Sequence, residues 1–202
     1  KKILTTKNKN IVVGRDGRIS SSKLSDELIR GLLDSGACVT DVGCAPTPMI
    51  YFANYYLKMN GAIMVTGSHN PPDHNGFKIM DSKNCFFGKQ IKEIEELIKK
   101  NNFLSGKGKF YKKNILNEYK NTLLRRAGNL KSCSIVWDCG NGSSGNLITE
   151  LVKDLPGKHY VIFGEIDGTF PNHHPDPTIQ KNLTSLIREV KKRNADLGIA
   201  FD

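Results

Sequence analysis

The 202-residue chain carries a net charge of +10, with 38% hydrophobic and 25% charged residues. That composition suits one large core or two small ones, and no run of about 18 apolar residues exists to cross a membrane. No stripe of interleaved basic and aromatic residues accompanies the positive charge, so a solvated basic surface is expected and no nucleic-acid partner. Lys99-Lys100, Lys112-Lys113 and Lys191-Lys-Arg193 fall at or near the ends of predicted helices, where cations suit the helix dipole at a C-terminus. The segment Lys1-Lys-Ile-Leu-Thr-Thr-Lys7 has no apolar stretch long enough for a signal peptide. Five widely spaced cysteines, Cys38, Cys44, Cys85, Cys133 and Cys139, form no C-x-x-C pair; reduced thiols and a cytoplasmic location are expected.

Along the chain, Ile11-Val-Val-Gly14 reads as a first strand and Arg15-Asp-Gly-Arg18 as the loop after it. Ser20-Ser-Ser22 offers N-cap hydroxyls to a helix reaching about Ser35, whose stripe is Leu24, Leu28, Leu32 and Leu33, with Gly36 as terminator. Cys38–Val42 is the second strand. Thr47 caps a helix with Pro48 at its first position, and the aromatic residues Tyr51, Phe52, Tyr55 and Tyr56 read as core material. Gly61–Thr66 is a buried strand and Phe77–Met80 a shorter one. Between them runs a loop of Gly, Ser, His, Asn, Pro and Asp, which is turn chemistry. A polar loop at the end of an apolar strand is a common place for chemistry in α/β proteins.

Gly88–Lys100 is helical, with Ile91, Ile94, Leu97 and Ile98 on one face; residues 101–114 read as a polar, glycine-dotted loop, and 115–126 as a helix. Ala127-Gly-Asn-Leu-Lys131 marks a boundary, which divides the chain into domains 1–130 and 131–202. In the second, Ser134–Asp138 is a strand, Cys139–Gly145 a glycine loop opening a helix, and His159–Phe163 another strand. Phe170–Pro177 is a rigid loop, Leu183, Leu186, Ile187 and Val190 mark a helix face, and Asp196–Asp202 is a last strand. Strand and helix alternate throughout, so the expected class is α/β: two consecutive layered domains with mixed sheets flanked by helices.

Several loops admit more than one chemistry. Gly140-x-Gly142-x-x-Gly145, with Glu165 or Asp167 about 20 positions on, has the form of a dinucleotide-binding fingerprint, and an oxidoreductase domain is the main competing function. His173-His174 with Asp167 and Asp176 could form a metal cluster, although a proline-flanked structural loop is favoured. Ser68 beside His69 could suggest a hydrolase dyad, but sequence neighbours usually point apart and no G-x-S-x-G elbow is present.

One motif is more specific than these. Thr66-Gly-Ser-His-Asn-Pro71 followed by Asn75-Gly-Phe-Lys78 resembles the phosphoserine loop of the α-D-phosphohexomutases, and within them the bacterial phosphomannomutase/phosphoglucomutase branch. The resemblance runs from Gly14-Arg-Asp-Gly-Arg18 to Asp202. Asp138-Cys-Gly-Asn-Gly142 is similar to the start of the family's second domain, where the glycines shape a turn and bind no nucleotide. Leu197-Gly-Ile-Ala-Phe-Asp202 is similar to the strand leading into the family's metal loop, of whose three aspartates only the first is present.

The resemblance implies a reversible phosphohexose mutase acting through a phosphoserine and a hexose 1,6-bisphosphate intermediate or activator. It gives Ser68 the phosphoryl group, Lys78 the proton transfer, and His69 a part in the catalytic loop. Asn70, and less directly Arg15 and Arg18, would contact substrate or phosphate. Asp202, together with Ser68 through its phosphate, would ligate Mg²⁺, a hard cation suited to carboxylate and phosphate oxygens. The resemblance also implies that the family's third and fourth domains, and an N-terminal segment with an active-site arginine, are not among these residues. The partners expected are therefore a hexose phosphate and further C-terminal domains of the same chain. The 202 residues alone are expected to be inactive, and a non-catalytic remnant that retains the fold is the other alternative.

Overall fold

The computed structural model describes residues 9–202; the N-terminal segment read above as lacking a leader lies outside the described residues. Two compact units emerge. The first holds the chain through Arg15, Ser20–Thr66 and Gly76–Ile115; the second holds Asp16–Ile19, Gly67–Asn75 and Leu116–Asp202.

The first unit is built on a five-stranded sheet. Its strands are β1 (Asn10–Arg15), β2 (Cys38–Cys44), β3 (Gly61–Val65), β4 (Phe77–Asp81) and β5 (Phe110–Lys112), in the order β4-β3-β1-β2-β5. β1 lies parallel to β2 and β3, β2 parallel to β5, and only β4 runs antiparallel, against β3. A central strand in such a sheet is covered on both faces and reads as a continuous apolar run. β3 fits that rule, with all five residues buried. Along β1 the side chains alternate. Ile11 and Val13 pack with Ile29, Ala37, Val39 and Ile63, while Gly14 lies against Ile50, where a Cβ would come within 2.1 Å of the isoleucine Cδ1. Ile29 belongs to α1 (Ile19–Asp34) and Ile50 to α2 (Thr47–Tyr56); α3 (Lys89–Lys99) completes the unit.

Several local expectations change. Of the α2 aromatic residues read as core material, Tyr55 and Tyr56 are exposed, and Tyr56 stacks on Phe52. α1 starts at Ile19, so Ser20–Ser22 lie inside its first turn; Ser21, Ser25 and Ile29 are buried, and Leu28, Leu32 and Leu33 of the expected stripe pack against the same core. Thr47 is the first helical residue of α2, and Pro46 takes the cap position without a side-chain bond. The stretch read as a loop contains β5, which pairs Val39, Thr40 and Asp41 with Phe110, Tyr111 and Lys112. Gly108 leads into it so close to α1 and β2 that a Cβ would sit 1.8 Å from the Ala37 carbonyl oxygen.

The second unit has a three-stranded parallel sheet of β6 (Cys133–Asp138), β7 (Gly157–Ile162) and β8 (Leu197–Ala200), in the order β7-β6-β8. Its helices are α4 (Leu116–Ala127), α5 (Gly145–Leu151) and α6 (Thr184–Arg193). Trp137, Cys139 and Ile148 form the core, joined by Val161, Ile199 and Phe201. The Trp137 ring stacks on Phe201 at 6.2 Å, and its indole N–H donates to His159 Nδ1 at 3.2 Å. α4, expected in the first domain, clusters with this unit; its Lys120 pairs with Asp154 at 2.6 Å. β8 stops at Ala200, shorter than expected, and Phe201 continues by donating its N–H to the Asp138 carbonyl.

Candidate active site

The loop Gly67–Asn75 follows β3 in the chain and clusters with the second unit. Two internal turns shape it: the Asn70 N–H donates to the Gly67 carbonyl, and the His74 N–H to that of Pro71. Ser68 sits in the left-handed region at φ 53°, a conformation that costs a residue with a Cβ free energy and persists only when the surroundings hold it. Its Oγ lies 3.5 and 3.4 Å from the two carboxylate oxygens of Asp202. His69 Nδ1 is 3.3 Å from the same Oδ2. These distances are long for hydrogen bonds.

Ser68, His69 and Asp202, 134 positions apart at the extremes, are therefore brought together. Asn70 is exposed in side chain, and its carbonyl accepts from Arg18. Arg18 is buried, with its guanidinium on main-chain carbonyls of the serine loop and its Nε on Asp16 at 3.1 Å. Arg15 closes β1, and Lys78 is an exposed residue of β4 opposite Met64; both belong to the first unit. Asp16 is the residue that motif reasoning passed over. Its carboxylate accepts the N–H of Arg18 and of Gly67, and its place inside the Gly14–Arg18 motif is the signal the sequence offers.

The glycine run of the second unit spends its amides internally. The N–H of Gly140 donates to Asp138 Oδ1, that of Asn141 to the Phe163 carbonyl, that of Gly142 to Cys139 and that of Gly145 to Gly142. A Cβ on Gly145 would sit 1.9 Å from the Gly164 carbonyl oxygen, so glycine there lets α5 start close against the turn that follows β7. Asp167 holds the N–H and hydroxyl of Thr169, which keeps its carboxyl below the usual range. The glycine amides and Asp167 are thus engaged by protein, and the dinucleotide reading is not favoured.

Two family models match the chain: the phosphoglucomutase/phosphomannomutase alpha/beta/alpha domain I over residues 1–105 and domain II over residues 109–202. The chain belongs to the phosphoglucomutase/phosphomannomutase family. It is 45% identical over 193 residues to a phosphomannomutase/phosphoglucomutase of Pseudomonas syringae pv. tomato, covering 96% of this chain and 42% of that protein. It is 41% identical over 194 residues to a phosphoglucomutase of Neisseria meningitidis, covering 95% of this chain and 42% of the relative. The crystal structure of a phosphoglucomutase/phosphomannomutase family protein from Burkholderia thailandensis superposes with a TM-score of 0.94 at 37% identity, over all of this chain and 46% of that one. The chain thus spans less than half the length of the relatives it matches.

Within this family member, the histidine loop is structural in its contacts. His173 Nε2 lies 3.1 Å from both oxygens of the fully buried Asp138, and its Nδ1 is 2.9 Å from the His174 carbonyl. Asp176 accepts from the Thr178 hydroxyl and amide, and these, with the nearby His69 and His174, hold its carboxyl below the ordinary value. Among the described residues no group of three or more His, Cys, Asp and Glu could hold a metal ion. The oxygen donors of Ser68 and Asp202 are of the hard type that Mg²⁺ takes, and among the described residues Asp202 is the carboxylate found against Ser68. All five cysteines are free, and no helix of the described residues is long and apolar enough to cross a membrane.

Proposed function

We propose that the complete protein is a cytoplasmic phosphohexose mutase that moves phosphate reversibly between C1 and C6 of a hexose phosphate, with glucose and mannose phosphates the substrates to test first. The observation that carries this reading is the approach of Ser68 Oγ to the Asp202 carboxylate, at 3.4 Å, inside the Thr66–Pro71 motif. Phosphoryl transfer needs an oxygen nucleophile held in line, charge neutralisation on the equatorial oxygens, and positioned donors.

In the resting enzyme Ser68 carries the phosphoryl group. The P–Oγ bond breaks as a bond forms to a free hydroxyl oxygen of the sugar monophosphate, and the hydroxyl proton passes to a base, the role given to Lys78. The product is the hexose 1,6-bisphosphate. In the second half-reaction Ser68 Oγ accepts the other phosphate, which regenerates the phosphoserine and releases the isomeric monophosphate. His69, whose Nδ1 faces Asp202, holds the carboxylate edge beside the serine, and Asn70 offers an amide to phosphate. Asp202 and the phosphorylated Ser68 are the residues of this chain that would hold Mg²⁺, which when bound would neutralise the phosphoryl oxygens. The sheet-borne Arg15 stands as a weaker phosphate contact.

A coupled assay of the complete protein, converting glucose 1-phosphate to glucose 6-phosphate with Mg²⁺ and bisphosphate activator, tests the reading. Turnover of about 1 s⁻¹ or more is expected, with loss of that turnover in Ser68→Ala. Undiminished turnover in Ser68→Ala would overturn the proposal.

A further inference from the structure

Arg18 is one of the largest fully buried side chains in the chain, 2% exposed. A buried cation is costly unless every donor is met. Here each of the five guanidinium N–H groups has an acceptor. Nε donates to Asp16 Oδ2 at 3.1 Å, Nη1 to the carbonyls of Pro71 and His74, and Nη2 to those of Ser68 and Asn70 at 2.5 and 2.8 Å. The counter-ion joins the same assembly: Asp16 Oδ1 accepts Arg18's own N–H, and Oδ2 the N–H of Gly67. Phe170 covers the guanidinium with its ring centroid 5.4 Å away. Gly67 makes room, because a Cβ there would come within 2.6 Å of Arg18 Cζ and Nε and of the His74 oxygen.

Four carbonyls of one short loop thus converge on a single planar cation, and the loop's first amide rests on that cation's partner. Such an arrangement fixes the backbone at Ser68 from both sides, and Ser68 is the residue held at φ 53°. With five donors engaged by protein, Arg18 has none left for a substrate phosphate. We infer that Arg18, locked by Asp16, is a positioning residue that holds the Ser68 loop in the one backbone conformation that aims Oγ at Asp202. The inference rests on the reading of Ser68 as the phosphoryl carrier. It also requires arginine: lysine keeps the charge but has three donors and no planar fork, so it can hold at most part of the carbonyl set.

The test uses the complete protein and its Arg18→Lys variant. A displacement of about 1 Å at the reacting atom can cost on the order of 10²-fold in rate. Arg18→Lys is therefore expected to lower kcat by about that factor with KM changed less than about threefold, because ground-state binding is left intact. Amide hydrogen exchange in residues 67–75 should speed up at least about tenfold while the rest of the protein stays protected. A kcat within about threefold of wild type in a folded Arg18→Lys protein, or unchanged exchange in that loop, would overturn the inference. Should Arg18→Lys fail to fold, Asp16→Asn removes the counter-ion and keeps an acceptor oxygen. The same selective loosening and loss of kcat are expected from it, and unchanged loop exchange would overturn the clamp. Absence of phosphate on Ser68 in wild type would overturn the functional reading instead, and loop exchange would still decide the clamp.

Discussion

Removing the Asp138 carboxylate should destabilise the second unit far more than an average substitution. Asp138 ends β6 with no exposed surface, accepts the Gly140 N–H at 2.9 Å and faces His173 Nε2 with both oxygens at 3.1 Å. Asp138→Ala leaves the Gly140 N–H and His173 Nε2 without this partner at a position that has no exposed surface. Leaving a buried hydrogen-bonding group without its partner costs about 1–3 kcal/mol, more where a charged group took part, so the two orphaned partners together cost about 4 kcal/mol. Asp138→Asn keeps one acceptor oxygen and should cost roughly half as much. With a urea slope of about 2 kcal/mol per molar, a loss of about 4 kcal/mol moves the unfolding midpoint by about 2 M. Trp137, the chain's single tryptophan, precedes Asp138 on β6 and reports the transition by fluorescence. A double-mutant cycle with His173→Ala isolates the pair, with an expected coupling of about 1–3 kcal/mol. A loss below about 1 kcal/mol in Asp138→Ala, or a coupling indistinguishable from zero, would refute this account of the pair.

Three further outcomes follow from the same structure. Burial pushes the Cys139 thiol up to about 11 from its ordinary 9.0, so the folded state keeps a proton that the unfolded chain releases in that interval. The resulting stabilisation is complete below pH 9 and is lost as pH rises through about 11. Alkylation near pH 8 should label exposed Cys85 first and Cys139 last, and equal labelling rates would contradict the burial argument. Lys78→Ala in the complete protein should lower kcat and kcat/KM together by on the order of 10²-fold; an unchanged kcat removes Lys78 from the chemistry. The 202 residues alone should show no mutase turnover, because one carboxylate, Asp202, is too little to retain a strongly hydrated Mg²⁺. Turnover near that of an ordinary enzyme, about 1 s⁻¹, would contradict this.

What the sequence disclosed was unequal for physical reasons. The central strands announced themselves, since Ile11–Val13 and Ala62–Val65 are covered on both faces and carry apolar side chains at every position. β5 did not, because Phe110–Lys112 is exposed and joins the sheet through backbone pairing with β2, which leaves no periodic signature. In α1, Ser21 and Ser25 are buried, so residues that look like caps occupy the core-facing line. The site divides the same way. Ser68, His69 and Asp202 stand in motifs specific enough to be singled out, and the structure brings them within 3.5 Å of one another. The Arg18 clamp was hidden, because a guanidinium bound to main-chain carbonyls places no demand on the identity of the residues that accept it. Likewise His173 is 35 positions from Asp138, and a loop histidine gives no sign of its partner.

Ser68 as the phosphoryl carrier is the claim on which the rest depends. Its most direct test is to incubate the complete protein with hexose 1,6-bisphosphate and locate the phosphate by fragment mass spectrometry. The account predicts one phosphoryl group on Ser68, absent from Ser68→Ala and discharged when hexose monophosphate is added. Stable phosphate on another residue, with Ser68 unmodified, would contradict it.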